Sequence, residues 1–176
     1  MGLEAFANNN FNNFSGVPAP LYAAENEFMQ LAIDEARIGI YNHEGGPFGA
    51  VIIKDGKIIG TGHNQVLSNH DSTCHGEIQA IRNAEKNLGT HDLQGAVLYT
   101  TGEPCPMCLS ACLWANIEKI FYGCTVLDNE EIGFRDKKFD KILGIKRDQS
   151  DYLEQIDFEA CHNLFEEYKK IGGKNY

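Results

Sequence analysis

Long apolar runs and positive charge are both scarce in this chain of 176 residues. Its apolar stretches last only a few residues, as in Ala50-Val51-Ile52-Ile53. A membrane-spanning helix needs about 20 apolar residues, so none is expected. The N-terminus also lacks the basic region and apolar core of a secretory leader. The expectation is a protein with no membrane contact, resident in the cytoplasm. Fifteen basic side chains face 25 acidic ones, a net charge of −10. Proteins that grip nucleic acid neutralise several phosphates with Lys and Arg. No basic patch stands out here, which favours a small, neutral or weakly charged substrate over a polyanion.

Proline is rare as well, at five residues, whereas 43% hydrophobic content with ten Phe and seven Tyr reads as globular. The length suits one compact domain. Six cysteines stand at Cys74, Cys105, Cys108, Cys112, Cys124 and Cys161. A domain of this size does not depend on a disulfide framework. The Cys105-x-x-Cys108 pair reads as metal ligands or a redox pair, and the other four as small core residues.

Residues 1–22 form a distinct N-terminal extension, with the low-complexity stretch Asn8-Asn9-Asn10-Phe11-Asn12-Asn13-Phe14 and the breakers Pro18 and Pro20. It is expected to be mobile or draped over the surface. Residues 23–176 read as the domain itself, with a C-terminal helix and tail. Helical spacing from Glu25 ends near Asn42. A hairpin follows, Phe48 to Ile53 and Lys57 to Asn64, turning at Asp55-Gly56. The spacing then predicts a helix from Cys74 or His75 to Leu88-Gly89, a strand over 96–100, a helix over 104–115 and a strand over 117–123. Short helices over 129–132 and 136–143 and a last amphipathic helix carrying Phe158, Leu164 and Tyr168 complete the reading. The order α-β-β-α-β-α-β-α predicts a three-layer α/β/α fold with a central mixed sheet.

One constellation carries chemistry: His75-Gly76-Glu77, and then Pro104-Cys105-Pro106-Met107-Cys108 about thirty residues on. One imidazole and two thiolates supply three ligands for a zinc ion. A catalytic zinc site uses that number, because its fourth position stays open for water. Glu77, two residues past the histidine, can manage that water's protons without occupying the metal. A His-x-Glu followed by a Pro-Cys-x-x-Cys is a zinc-deaminase signature. Pro104 suits the first turn of a helix that would place Cys105 and Cys108 on one face. Three other readings compete: a redox Cys-x-x-Cys, a closed structural zinc site completed by Cys112 or Cys74, and plain core cysteines. The conjunction of the two motifs on successive helices favours the catalytic reading. His43, His63, His70, His91 and His162 have no partner at ligand spacing and read as surface or loop residues.

From about residue 24 onward the chain resembles the cytidine deaminase-like superfamily, and within it the small bacterial-type guanine deaminases. The marks are Gly45-Gly46-Pro47-Phe48-Gly49-Ala50-Val51, Asn64, His75-x-Glu77, Leu98-Tyr99-Thr100, Glu103-Pro104-Cys105-Pro106-Met107-Cys108, Trp114-Ala115, Gly133-Phe134-x-Asp136 and Tyr176. The resemblance implies one zinc per chain on His75, Cys105 and Cys108, with Glu77 and Asp136 moving protons. It implies that Asn64, Phe48, Gly76, Trp114 and Tyr176 meet a nucleobase, and that the protein is a homodimer, with Tyr176 delivered by a domain-swapped C-terminal segment. Two positions depart from the guanine pattern. Gly76 replaces a common Ala and is similar to fungal cytosine deaminases, and Arg135 replaces a common acid. Hydrolytic deamination of a free purine base, guanine first, is the expectation. Cytosine or another base or nucleoside, adenosine in tRNA, and a non-enzymatic zinc module stay open beside it.

Overall fold

The computed structural model describes residues 16–147 and 151–176. The Asn-rich stretch lies outside the described residues. Residues 16–22 lie against the domain: the Pro18 carbonyl accepts from Arg37 Nη2 at 2.6 Å, and the Tyr22 hydroxyl donates to Glu167.

Helix α1 (Glu27–Tyr41) starts where Asn26 Oδ1 accepts from the amides of Phe28 and Met29, a side-chain cap for otherwise orphaned donors. Its buried stripe is Met29, Ala32, Ile33, Ala36 and Ile40. Strands β1 (Gly49–Lys54) and β2 (Lys57–His63) are joined by Asp55 and Gly56 at φ 51° and 71°. Both turn residues are left-handed, as the tight hairpin turn announced by Asp-Gly requires. Then follow α2 (Val66–Asn69), α3 (Gly76–Leu88), β3 (Val97–Gly102), α4 (Pro106–Trp114), β4 (Lys119–Cys124), α5 (Val126–Glu131), α6 (Asp136–Leu143), β5 (Leu153–Gln155) and α7 (Phe158–Lys170).

The sheet order is β2-β1-β3-β4-β5. β1 is antiparallel to both neighbours, while β3, β4 and β5 are parallel. Alternation along β1 sorts the two faces. Val51 and Ile53 join α1 and α7 in one core cluster, and Ala50 and Ile52 join α3 and α4 in the other. This is the three-layer α/β/α arrangement with a mixed sheet. The first layer is stapled by charge as well, since Arg37 on α1 holds Glu167 on α7 through Nε at 3.1 Å and Nη2 at 2.9 Å.

Three expectations need correction. Pro106, not Pro104, occupies the first turn of α4, because Cys105 itself is the N-cap residue. The three-residue strand β5 and the single turn α2 are too short for hydrophobic periodicity to register. His63 is not a surface or loop residue. It ends β2 and bridges Glu35 (Nδ1, 3.0 Å) and Glu44 (Nε2, 2.9 Å).

Topology places the site. β2 runs parallel to β3, since each is antiparallel to β1. The C-terminal ends of β2, β3 and β4 therefore share one edge. The segments leaving that edge carry Asn64 and His75, Glu103 and Cys105, and Asn129 and Asp136 respectively. The carboxyl edge of an open α/β sheet is where ligand crevices form.

Candidate active site

His75 and Cys105 are the N-cap residues of α3 and α4, and neither side chain caps its helix. Both turn toward each other, His75 Nδ1 to Cys105 Sγ at 3.6 Å. With Cys108, in the first turn of α4, their ligand atoms all lie within 4.8 Å of one another. The donor set and spacing fit zinc. Ligands at about 2.1 Å (N) and 2.3 Å (S) around a tetrahedral ion sit roughly 3.6 Å apart. Cys112 lies outside this group, in the core beneath α4. Cys74 is engaged elsewhere, accepting from Asn69 and Arg82 and donating to Asp71. The three-ligand cluster thus has no fourth protein ligand from either, which removes the closed-shell reading.

The protein's own groups polarise these ligands. The Cys105 thiol is held down to about 4, first by a hydrogen bond from Cys108 and then by His75, against the opposing effect of burial. Burial works against charge on His75, but Cys105, Glu77 and Asp136 outweigh it and raise the imidazole to about 9. Burial, the hydrogen bond with Cys105 and the charge of Glu77 push the Cys108 thiol well above its ordinary value.

Glu77, in the first turn of α3, is 4% exposed. Burial, with the negative charge of Cys105, raises its carboxyl to about 7 despite the opposing His75. That value suits a group that must both take and return a proton near neutral pH. Asp136 opens α6 and is buried, not solvated as its charged neighbours suggest. Burial and Cys105 raise its carboxyl, while the hydrogen bond from Asn129 works in the other direction.

A small cavity of about 20 Å³ is lined by Phe48, His75, Glu77, Glu103, Asn129, Phe134, Asp136 and Tyr176. Phe48 packs edge-on against Phe134 at 4.8 Å, and Phe134 against Tyr176 at 5.3 Å. Tyr176 thus lies over the site of its own chain. The tail holds it there, with Tyr168 Oη donating to the Lys174 carbonyl at 2.7 Å. Asn64 is fully buried behind the tyrosine. Its Oδ1 accepts from the Val66 amide at 3.2 Å, while its Nδ2 and the Tyr176 hydroxyl lie against each other, with Gly46 beside the hydroxyl, without forming a close hydrogen bond.

Three sequence-expected contacts do not line this cavity: Asn64, buried behind Tyr176, Trp114 and Gly76. Trp114, at the end of α4, is 85% exposed and faces solvent. Gly76 is buried against the Phe48 backbone: a Cβ added there would meet the Phe48 carbonyl oxygen at 2.8 Å. Its influence on the site passes through Phe48.

Sequence reasoning missed Asn129 and Arg147. Asn129 Nδ2 donates to Asp136 Oδ2 at 2.9 Å. Arg147 ties α6 to the segment before α4, reaching Asp140 through Nη2 at 2.8 Å, Glu103 through Nη1 at 3.2 Å and the Pro104 carbonyl at 2.7 Å. Glu103 stood beside the cysteine motif, which was a usable signal. Asn129 and Arg147 lie in no motif, and only the fold brings them in.

The family model for the cytidine and deoxycytidylate deaminase zinc-binding region matches residues 23–124. A guanine deaminase of Bacillus subtilis (strain 168) is 47% identical over 118 residues, 65% of this chain and 76% of that protein. The X-ray structure of guanine deaminase from that species superposes with a TM-score of 0.65 at 37% identity, covering 85% of this chain and 96% of the other. The guanine deaminase structure from Nitrosomonas europaea gives 0.71 at 26% identity, over 88% and 90% of the chains. A tRNA-specific adenosine deaminase of Buchnera aphidicola subsp. Schizaphis graminum (strain Sg) is 32% identical over 145 residues, 81% of this chain and 92% of that protein.

Proposed function

This chain belongs to the cytidine and deoxycytidylate deaminase zinc-binding family, and from that premise we propose that it converts guanine and water to xanthine and ammonia. It is a zinc-dependent hydrolase of the deaminase type, and His75, Cys105 and Cys108 are the residues that would hold the metal. When bound, zinc supplies Lewis acidity that brings the pKa of a water near neutrality. The observation that carries the chemistry is Glu77: a buried carboxyl that lines the cavity with His75, beside the three-ligand cluster but not part of it.

In this reading Glu77 takes a proton from the attacking water and gives it to a ring nitrogen. The carbon bearing the exocyclic amine gains oxygen and loses nitrogen. Asp136, steadied at Oδ2 by Asn129, takes the remaining proton of the added hydroxyl and passes it to the amine, which leaves as ammonia while the C=O forms. Phe48 and Phe134, packed together, line one side of the ring, and Asn64 Nδ2 and Tyr176 Oη, which lie against each other without a close hydrogen bond, take polar edges of the base. The choice of guanine is supported by the Bacillus subtilis relative.

A homodimer in the cytoplasm belongs to the same reading. Leu113 and Trp114 on α4 and Ile142 and Leu143 on α6 form exposed apolar surface that a second copy would cover. No helix among the described residues is long and apolar enough to cross a membrane. The tRNA adenosine reading has the Buchnera relative in its favour, but the net charge of −10 offers a polyanion little purchase.

Ammonia release measured on guanine, cytosine, adenine, their nucleosides and a tRNA anticodon stem decides between these. Guanine should be turned over fastest. Turnover of cytosine or tRNA with none of guanine would overturn the assignment.

A further inference from the structure

We propose that Asn129 reads the bound base: its Oδ1 accepts a hydrogen bond from a ring N–H while its Nδ2 holds Asp136. This rests on the guanine reading above, since it concerns the same cavity.

Asn129 is 1% exposed and lines the cavity beside Asp136 and Glu103. Its Nδ2 donates to Asp136 Oδ2 at 2.9 Å and to the Glu103 carbonyl at 3.4 Å. A backbone carbonyl only accepts, so the amide cannot be turned over without setting oxygen against oxygen. That fixes Oδ1 as the remaining group, and Oδ1 has no partner. A buried carbonyl left unpaired is costly and calls for an explanation.

The side chain has little freedom to find another partner. α5 is locked by the Thr125–Asp128 capping box, and the Asn129 backbone is bonded at both ends, its amide to the Thr125 carbonyl at 3.0 Å and its carbonyl to the Phe134 amide at 3.0 Å. Gly102 leaves room for the oxygen. A Cβ at that position would stand 3.0 Å from both Asn129 Oδ1 and the Phe48 ring. Oδ1 and the Phe48 ring thus border the same gap over Gly102.

Besides this acceptor, the described residues hold two more buried atoms without a close hydrogen bond, Asn64 Nδ2 (a donor) and Tyr176 Oη (either), which lie against each other. Such a set takes a ligand presenting both an acceptor and an N–H on its rim. A lactam-bearing purine does so, and a base whose rim offers only ring acceptors would leave Oδ1 unpaired.

The test uses zinc-loaded protein carrying Glu77→Gln, so that guanine binds without turnover, and reads its dissociation constant. Asn129→Ala should weaken guanine binding at least about tenfold, the worth of one hydrogen bond to a buried group. The loss should be similar when Asp136→Asn is already present. Asn129→Asp in the Asp136→Asn background keeps an oxygen toward the base and exchanges donor and acceptor between the two side chains. Affinity there should exceed that of Asn129→Ala in the same background, falling short of the parent only because the second carboxylate oxygen now faces the Glu103 carbonyl, with melting curves checking that each variant folds. If Asn129→Ala adds nothing in the Asp136→Asn background, or the aspartate binds as poorly as the alanine, Asn129 acts only through Asp136 and the inference falls. If the parent does not bind guanine and the unmodified protein releases no ammonia from it, the guanine reading fails and takes this inference with it.

Discussion

His75 Nδ1 lies 3.6 Å from Cys105 Sγ, and each residue is the N-cap of a different helix that it does not cap. Ser, Thr, Asp or Asn at either position would contribute about 1 kcal/mol of helix stability through a side-chain cap. Both caps are forgone so that an imidazole and a thiol can face one point at the sheet edge. The two helices then begin at the metal site, with their positive ends turned to the thiolates.

The first prediction separates metal binding from proton transfer. Cys105→Ser and Cys108→Ser should each lose stoichiometric zinc and all measurable turnover. Glu77→Gln should keep its zinc and lose about three or more orders of magnitude in kcat. Elemental analysis and initial rates check both. Near-normal turnover in the glutamine variant would remove Glu77 from its role, and full activity in metal-free protein would remove the metal.

The second concerns the tail. A cavity of about 20 Å³ lined in part by Tyr176 holds about one water, so a base enters only if the lining opens, and the tyrosine at the chain's end is the lining residue on a terminal segment. Deleting residues 174–176 should lower kcat/KM at least about tenfold while moving Tm by only a few degrees, because a short terminal segment adds little to the core. Unchanged kinetics would make the tail a bystander.

The third follows from His63. Burial disfavours its charged form, but hydrogen bonds to Glu35 and Glu44 more than offset this and raise its pKa above the ordinary 6.5. A group raised on folding stabilises fully below its unfolded pKa, and that contribution disappears as pH climbs through the folded value. Glu44 is lowered, so its contribution holds above about pH 4.5 and fades with acid. Denaturant melts should therefore show stability falling as pH rises from about 6.5, with His63→Gln flattening that slope. An identical slope in the variant would show that another group titrates.

Gly76→Ala is the fourth. The new methyl would press on the Phe48 carbonyl, a backbone atom that can yield only if β1 shifts. The expected cost is about 1–3 kcal/mol of stability, together with a raised KM, because Phe48 lines the cavity. A variant with unchanged Tm and KM would show that the approach relaxes freely.

Much of the fold was legible because its signals are local. Asp55-Gly56 marks the hairpin, Gly89 sits left-handed at the C-cap of α3, and α6 spans Asp136–Leu143 as its apolar spacing predicts. The misreadings share one cause. His63 and Asn129 lie in polar stretches of sequence, and burial among distant partners is a property of packing. Trp114 shows the converse, since an aromatic beside the motif is left in solvent on its own chain.

What the sequence determined alone is the chemistry: His75, Glu77, Cys105 and Cys108 have ligand and proton-transfer character whatever their surroundings, and their spacing puts them at two helix starts. What only the tertiary structure decided is the environment. Burial sets Glu77 near neutral pH, and the carboxyl edge of the sheet gathers residues from three separate segments. The close approach of Asn129, Asp136 and Tyr176 is also a long-range consequence of strand order. Desolvation and field depend on everything within several ångströms, and no stretch of chain carries that information by itself.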